Sequence, residues 1–186
     1  ERLGVEMLNN IICAGVGGQG ALTLGMLLAE ASAMQGKNVT YVPEYGSQMR
    51  GGNASVKIKV SDEPIVNPFM EKVNILVALH TLPIPMYIDL VQEGATVIAE
   101  SELVHEIELP ANVKLVHIPA NEIAEKMGNP RGMSAVMAGA VVALADLFPY
   151  EDGVKAVSQY YEEKHIPVEI NRDAFIEGYN YIKNKK

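Results

Sequence analysis

Two glycine-rich segments carry the residue types that could hold a ligand. The first, Gly15-Val16-Gly17-Gly18-Gln19-Gly20, follows the apolar run Ile11, Ile12, Cys13, Ala14 and precedes a stretch rich in Ala, Leu and Met. A strand that turns through glycines into a helix leaves the first helical N–H groups unpaired. They carry the positive end of the helix dipole, which suits an anion, and glycine lets the backbone come close to it. Gly15, Gly17 and Gly20 also satisfy the G-x-G-x-x-G dinucleotide spacing, with Glu44 some way beyond as the acid that would hold a ribose. The same glycines would serve a turn that only packs a buried helix on a sheet. From this segment alone both readings stay open. The second segment is Tyr45-Gly46-Ser47-Gln48-Met49-Arg50-Gly51-Gly52. Arg50, flanked by glycines, could grip a phosphate or carboxylate bidentately with backbone N–H groups assisting. Alternatively it pairs with Glu44 and stiffens the loop. Two loops at the carboxyl ends of neighbouring strands would line one crevice, the usual ligand position in open α/β sheets.

The remaining polar residues take plainer readings. His80-Thr81 ends an apolar run and faces the same crevice, where a strand-capping role is the simpler account. His105, His117 and His165 are scattered without metal-ligand spacing. Cys13 sits inside an apolar strand as a small hydrophobe rather than a nucleophile. Tyr160, Tyr161, Tyr179 and Tyr181 are expected to pack between the last helices or at a subunit contact. Glu122, Glu125 and Lys126 form a solvated helix face. No catalytic residue and no metal site is assigned to the chain.

Composition narrows the classes. Fifteen basic against 23 acidic side chains give a net charge of -8, which argues against a nucleic-acid binder while permitting one local anion site. A single cysteine excludes an intrachain disulfide and a Cys-only cluster or zinc site. The 186 residues, 48% apolar and 20% charged, fit one globular domain over residues 1–186 with no linker or repeat. No apolar run is long enough for a helix to span a bilayer, no secretory leader is expected, and a reducing cytoplasm is the expected location.

The elements that must position these segments alternate. Strands are predicted at Asn10–Gly15, Asn38–Val42, Ala54–Val60, Asn74–Leu79, Thr96–Ala99 and Lys114–Ile118. The strict alternation of Val56, Ile58 and Val60 with lysines marks a half-exposed strand, at an edge or antiparallel, and the unbroken Asn74–Leu79 a central one. Helices are predicted at Ala21–Gln35, Pro83–Gln92 (stopped by Gly94), Asn121–Met127, Met133–Leu147, Glu151–Lys164 and Asp173–Lys185. The strand–helix order implies an α/β fold, a three-layer α/β/α sandwich with a mainly parallel sheet and a Rossmann-like first strand-loop-helix.

Taken together, GxGGQG after the first strand and Y-G-x-x-x-R-G-G after the second are more specific than either alone. Followed by Ala54–Val60 and Ser61-Asp62-Glu63-Pro64-Ile65, they resemble the gamma subunit or domain of pyruvate/2-oxoacid:ferredoxin (flavodoxin) oxidoreductases. Asn129-Pro130 leading into Met133–Leu147 is similar to a later segment of the family, so the resemblance runs from Asn10 to Leu147. It implies a complex that oxidatively decarboxylates a 2-oxoacid such as 2-oxoglutarate or pyruvate, forms an acyl-coenzyme A and reduces ferredoxin or flavodoxin. Thiamine diphosphate, Mg and iron–sulfur clusters would sit on alpha, beta and delta (ferredoxin-like) partner subunits. This chain would help form the coenzyme A crevice, with Gly15, Gly17, Gly18, Gln19, Gly20, Tyr45, Gly46, Arg50, Gly51 and Gly52 as binding residues. The competing expectations are a stand-alone NAD- or nucleotide-binding module and a purely structural subunit.

Overall fold

The computed structural model describes residues 8–45, 52–105 and 107–185, with only the backbone of Tyr45. The chain runs β1 (Leu8–Val16), α1 (Ala21–Met34), β2 (Asn38–Tyr45), β3 (Asn53–Ser61), β4 (Val73–Ala78), α2 (Ile84–Tyr87) and β5 (Val91–Glu100). It continues through β6 (Lys114–Ile118), α3 (Ala120–Lys126), α4 (Met133–Ala145), α5 (Tyr150–Glu163) and α6 (Val168–Lys183). The strands form one sheet in the order β2-β3-β1-β4-β5-β6. Neighbours from β1 through β4 and β5 to β6 are parallel, and β3 runs antiparallel to both β1 and β2. The α/β class with a mainly parallel sheet therefore holds, and β3 is antiparallel, as its alternating pattern suggested.

Connectivity decides where the helices lie. From β1 the chain moves through α1 to one side of the sheet, and from β4 through β5 to β6 it moves to the other. Right-handed connections that step in opposite directions must cross opposite faces. Accordingly α1 packs on the face of Ile11, Cys13, Val56, Ile58 and Val77, and α3–α6 return to cover that face. The other face, with Ile12, Ala14, Leu76 and Val97, is covered by Met70, Tyr87, Val91 and the partly buried Ile107, Leu109 and Val113. Side chains of each strand alternate between the two cores, as the pleat requires.

The helical layer is tight because small residues let backbones meet. A Cβ on Gly139 would overlap the Phe175 carbonyl, and one on Gly178 would overlap the Val136 carbonyl. Thus α4 and α6 cross with a glycine on each side, and α4 is buried along nearly its whole length. A Cβ on Gly25 would overlap Val56, which brings α1 close to β3.

Several boundaries differ from the predicted ones. The helix expected over 83–92 is one turn (Ile84–Tyr87) plus a 3₁₀ turn at Ile88–Leu90, and Val91 already pairs with Val73 in the sheet. Gly94 lies inside β5 at φ 77, next to the register shift between Val73 and Ile75, so it marks an irregularity in a strand and not a helix stop. Strand β2 continues through Pro43 to Tyr45, which an edge strand tolerates. Helix α6 starts at Val168, where Pro167 presets the backbone for a first turn, five residues ahead of the amphipathic pattern. Helix α3 lacks an Asn side-chain cap, Pro119 standing at that position.

Candidate functional site

The sheet reverses its winding between β1 and β4, and the first glycine segment leaves the carboxyl end of β1 at that switch point. Gly18 and Gly20 adopt φ 93 and 82, a left-handed backbone that side chains with a Cβ disfavour. Gly20 is doubly constrained, because a Cβ there would overlap the Ser134 hydroxyl, which donates to the Gly20 carbonyl at 3.1 Å. Gln19 folds back on its own turn. Its Oε1 accepts the Val16 N–H at 2.8 Å, and its N–H donates to the Val16 carbonyl at 3.1 Å. A Cβ on Gly15 would sit 3.2 Å from both Gln19 Oε1 and Leu79 Cβ, so Gly15 gives the turn room. The Gly17 N–H donates to the Gly52 carbonyl at 2.9 Å. Part of the motif is thus spent on building the loop. The N–H groups of Ala21, Leu22 and Thr23, at the start of α1, donate to no described carbonyl and remain the anion-friendly end.

The second segment is met only at its ends. Gly46–Gly51, including Arg50, lies outside the described residues, while Gly52 is tied to Gly17. The strands that carry the two segments are not neighbours, since β3 lies between β1 and β2. That geometry weakens the NAD reading, because the end of β2 stands two strand spacings, roughly 10 Å, from β1. Glu44 is moreover engaged on the other face of the sheet. It accepts from Lys57 Nζ at 2.7 Å and from the Tyr87 hydroxyl at 3.2 Å, and Tyr87 lies 2.5 Å from Ser55 Oγ.

A crevice of about 740 Å³ opens beside Gly18–Gly20. Its other walls are the turn into α4, from Asn129 to Ser134, and the α5–α6 connection, from Tyr161 to Asn171. The two walls are pinned together by buried amides. Asn129 Nδ2 donates to Asn171 Oδ1 at 2.9 Å, and Asn171 Nδ2 donates to the Pro167 carbonyl at 2.7 Å. Arg131 and His165 stand exposed on opposite walls, and among the described residues no Asp or Glu lines the space. Behind the rim, the fully buried Glu100 carboxylate at the end of β5 accepts the N–H groups of Glu102 and Leu103 at 2.8 and 2.9 Å. That nest fixes Leu103 at the crevice mouth.

Of the residues expected at the site, Gly18, Gln19 and Gly20 line this crevice, whereas Gly15 and Gly17 shape the loop behind it. His80 does not reach it. Its Nδ1 accepts the Leu82 N–H at 3.1 Å, and Thr81 Oγ1 donates to the Leu103 carbonyl at 3.0 Å. Cys13 is fully buried, and burial pushes its thiol far above the usual range, in keeping with a hydrophobe. Sequence reasoning missed Arg131, Ser134, Tyr161 and the Asn129–Asn171 clasp. The available signal was Asn129-Pro130-Arg131-Gly132, a polar turn that opens a buried helix in the same way as the first glycine segment.

Known proteins resemble this chain in sequence and in fold. The pyruvate ferredoxin/flavodoxin oxidoreductase family model matches residues 10–181. The 2-oxoglutarate synthase subunit KorC of Methanocaldococcus jannaschii is 33% identical, with 96% of each chain covered. The ketoisovalerate oxidoreductase subunit VorA of Methanothermobacter thermautotrophicus is 34% identical over 70% of this chain, which spans only 27% of that longer relative. The crystal structure of a keto/oxoacid ferredoxin oxidoreductase gamma subunit from Geobacter sulfurreducens superposes with a TM-score of 0.80 at 28% identity, covering 95% of this chain and 99% of that one. The resemblance to a gamma subunit carried by the two glycine segments is thereby borne out, and the chain belongs to the pyruvate ferredoxin/flavodoxin oxidoreductase family.

Proposed function

We propose that this chain, as one domain over residues 1–186, is the gamma subunit of a cytoplasmic 2-oxoacid:ferredoxin oxidoreductase complex. The complex would decarboxylate a 2-oxoacid oxidatively, 2-oxoglutarate being the first candidate, yield an acyl-coenzyme A and pass electrons to ferredoxin or flavodoxin. The gamma chain forms one wall of the coenzyme A crevice and an assembly interface. Alpha, beta and delta partners carry the thiamine diphosphate, Mg and iron–sulfur clusters. The observation that carries this reading is the crevice beside Gly18–Gly20, which no carboxylate of the described residues lines in a chain of net charge -8. Coenzyme A is strongly anionic, and such a lining admits it without charge repulsion. Gly18 and Gly20 form the floor, with Gly15, Gly17 and Gln19 holding the loop in shape. Tyr45, Gly46, Arg50, Gly51 and Gly52 of the second segment complete the set of binding residues in this reading. The engagement of Glu44 with Lys57 and Tyr87 supports coenzyme A over NAD. The commitment of Gly17 and Gln19 to the turn itself favours a structural share for those two residues.

The assembled complex provides the test. Loss of one charge-assisted hydrogen bond in Arg50→Ala is expected to raise the KM for coenzyme A by about tenfold, with little change in the KM for the 2-oxoacid. An unchanged KM for coenzyme A in a complex that still assembles would count against the role of the second segment.

A further inference from the structure

The crevice is built for a particular chemistry on the walls that stand across from Gly18–Gly20. Acidic residues number 23 of 186, a frequency that would place about two among the 17 described lining residues, yet none of the described ones is there. Arg131 is exposed in this lining and makes no ion pair or hydrogen bond with a described residue. Tyr161 is only 5% exposed, lines the crevice, and has a hydroxyl with no hydrogen-bond partner among the described residues. Burial and the neighbouring Tyr160 push that hydroxyl upward from its ordinary range, so it stays protonated and able to donate. His165 is carried over the opening by the turn that ends α5. That turn sets φ at 56 and is closed by the Ile166 N–H donating to the Tyr161 carbonyl at 3.0 Å. A fixed buried donor, an unpaired guanidinium and an imidazole around a space of about 740 Å³ match an oxygen-rich anion.

We propose that this crevice is a phosphoryl-binding site in which Arg131, His165 and Tyr161 donate to phosphate oxygens. The proposal rests on the coenzyme A reading above and deepens it. The phosphorylated nucleotide end of coenzyme A lies against the walls built by α4 and the α5–α6 connection, and the thiol end leads away from them. A guanidinium forks onto two phosphate oxygens at once, and Tyr161, its ring packed in the core, holds its hydroxyl at the crevice wall.

The experiment measures the KM for coenzyme A, for 3′-dephospho-coenzyme A and for pantetheine in the assembled complex. Arg131→Gln and Tyr161→Phe are compared with Arg172→Gln, an arginine outside the crevice that pairs with Asp173. Arg131→Gln is expected to raise the KM for coenzyme A by about ten- to a hundredfold, Tyr161→Phe by about threefold to tenfold, and Arg172→Gln to leave it unchanged. Pantetheine, which has no nucleotide phosphates, should show no such rise. If the effect of Arg131→Gln vanishes with dephospho-coenzyme A, the 3′-phosphate is the bound group. If it persists there, the bound group is the diphosphate. An unchanged KM for coenzyme A in Arg131→Gln overturns the proposal. If Arg50→Ala still raises that KM, the coenzyme A reading survives without it, and if neither variant moves it, both fall.

Discussion

The two faces of the sheet are stabilised in different ways. On the face of α1 and α3–α6, helices approach until backbones touch, and Gly139 and Gly178 leave no room for a methyl group. On the other face the cover is one helical turn, a 3₁₀ turn and loops, whose side chains fill the space above Ile12, Leu76 and Val97. The helical face thus leaves its helices little room to shift, and the crevice is made from the ends of those helices. The looped face carries a polar cluster, Lys57–Glu44–Tyr87–Ser55, at the margin of its core. It also shows solvent Val66 and Phe69, which are 95% and 79% exposed.

Three substitutions would break or sharpen this contrast. Gly178→Ala should cost the most, about 3 kcal/mol, because the Val136 carbonyl that a methyl meets belongs to a helix that cannot yield. Urea unfolding with an unchanged slope would measure it, and a loss below about 1 kcal/mol would show that α4 and α6 can slide apart. Tyr87→Phe keeps the ring in the looped-face core and deletes one hydroxyl shared by Ser55 and Glu44. It should cost about 1 kcal/mol in the same assay, and a cost equal to that of Gly178→Ala would contradict the contrast. Phe69→Ser should change stability by less than about 0.5 kcal/mol, because the ring is already in solvent. A larger loss would mean that the 62–72 segment is more firmly packed than its exposure indicates.

Legibility in the sequence followed the range of the forces involved. The first glycine segment and its helix were readable because a strand–glycine–helix turn is local, and Gly20 occupies the left-handed backbone such a turn needs. Strands β1, β3, β4 and β6 were readable because pleat alternation or a continuous apolar run is written in neighbouring residues. The short helix at Ile84–Tyr87 was not, since the apolar residues up to Val91 fit a helix face as well as the start of β5. The pairing of Val91 with Val73 settled that ambiguity. The placement of β3 between β1 and β2 was not legible either, and it removes Glu44 from any ribose at the first loop.

By itself, then, the sequence determined the α/β class, the anion-suited turn at Gly15–Gly20 and the gamma-subunit resemblance, because these depend on local backbone preference and on residues near one another in the chain. Tertiary structure decided which wall faces that turn. Ser134 reaches Gly20 across more than a hundred residues, Asn129 clasps Asn171, and Arg131, Tyr161 and His165 gather around one space. None of these residues is exceptional in its own stretch of chain. They become a site only because the chain after β6 brings α3–α6 back to the face of α1, so that the turn into α4 and the α5–α6 connection meet the start of α1.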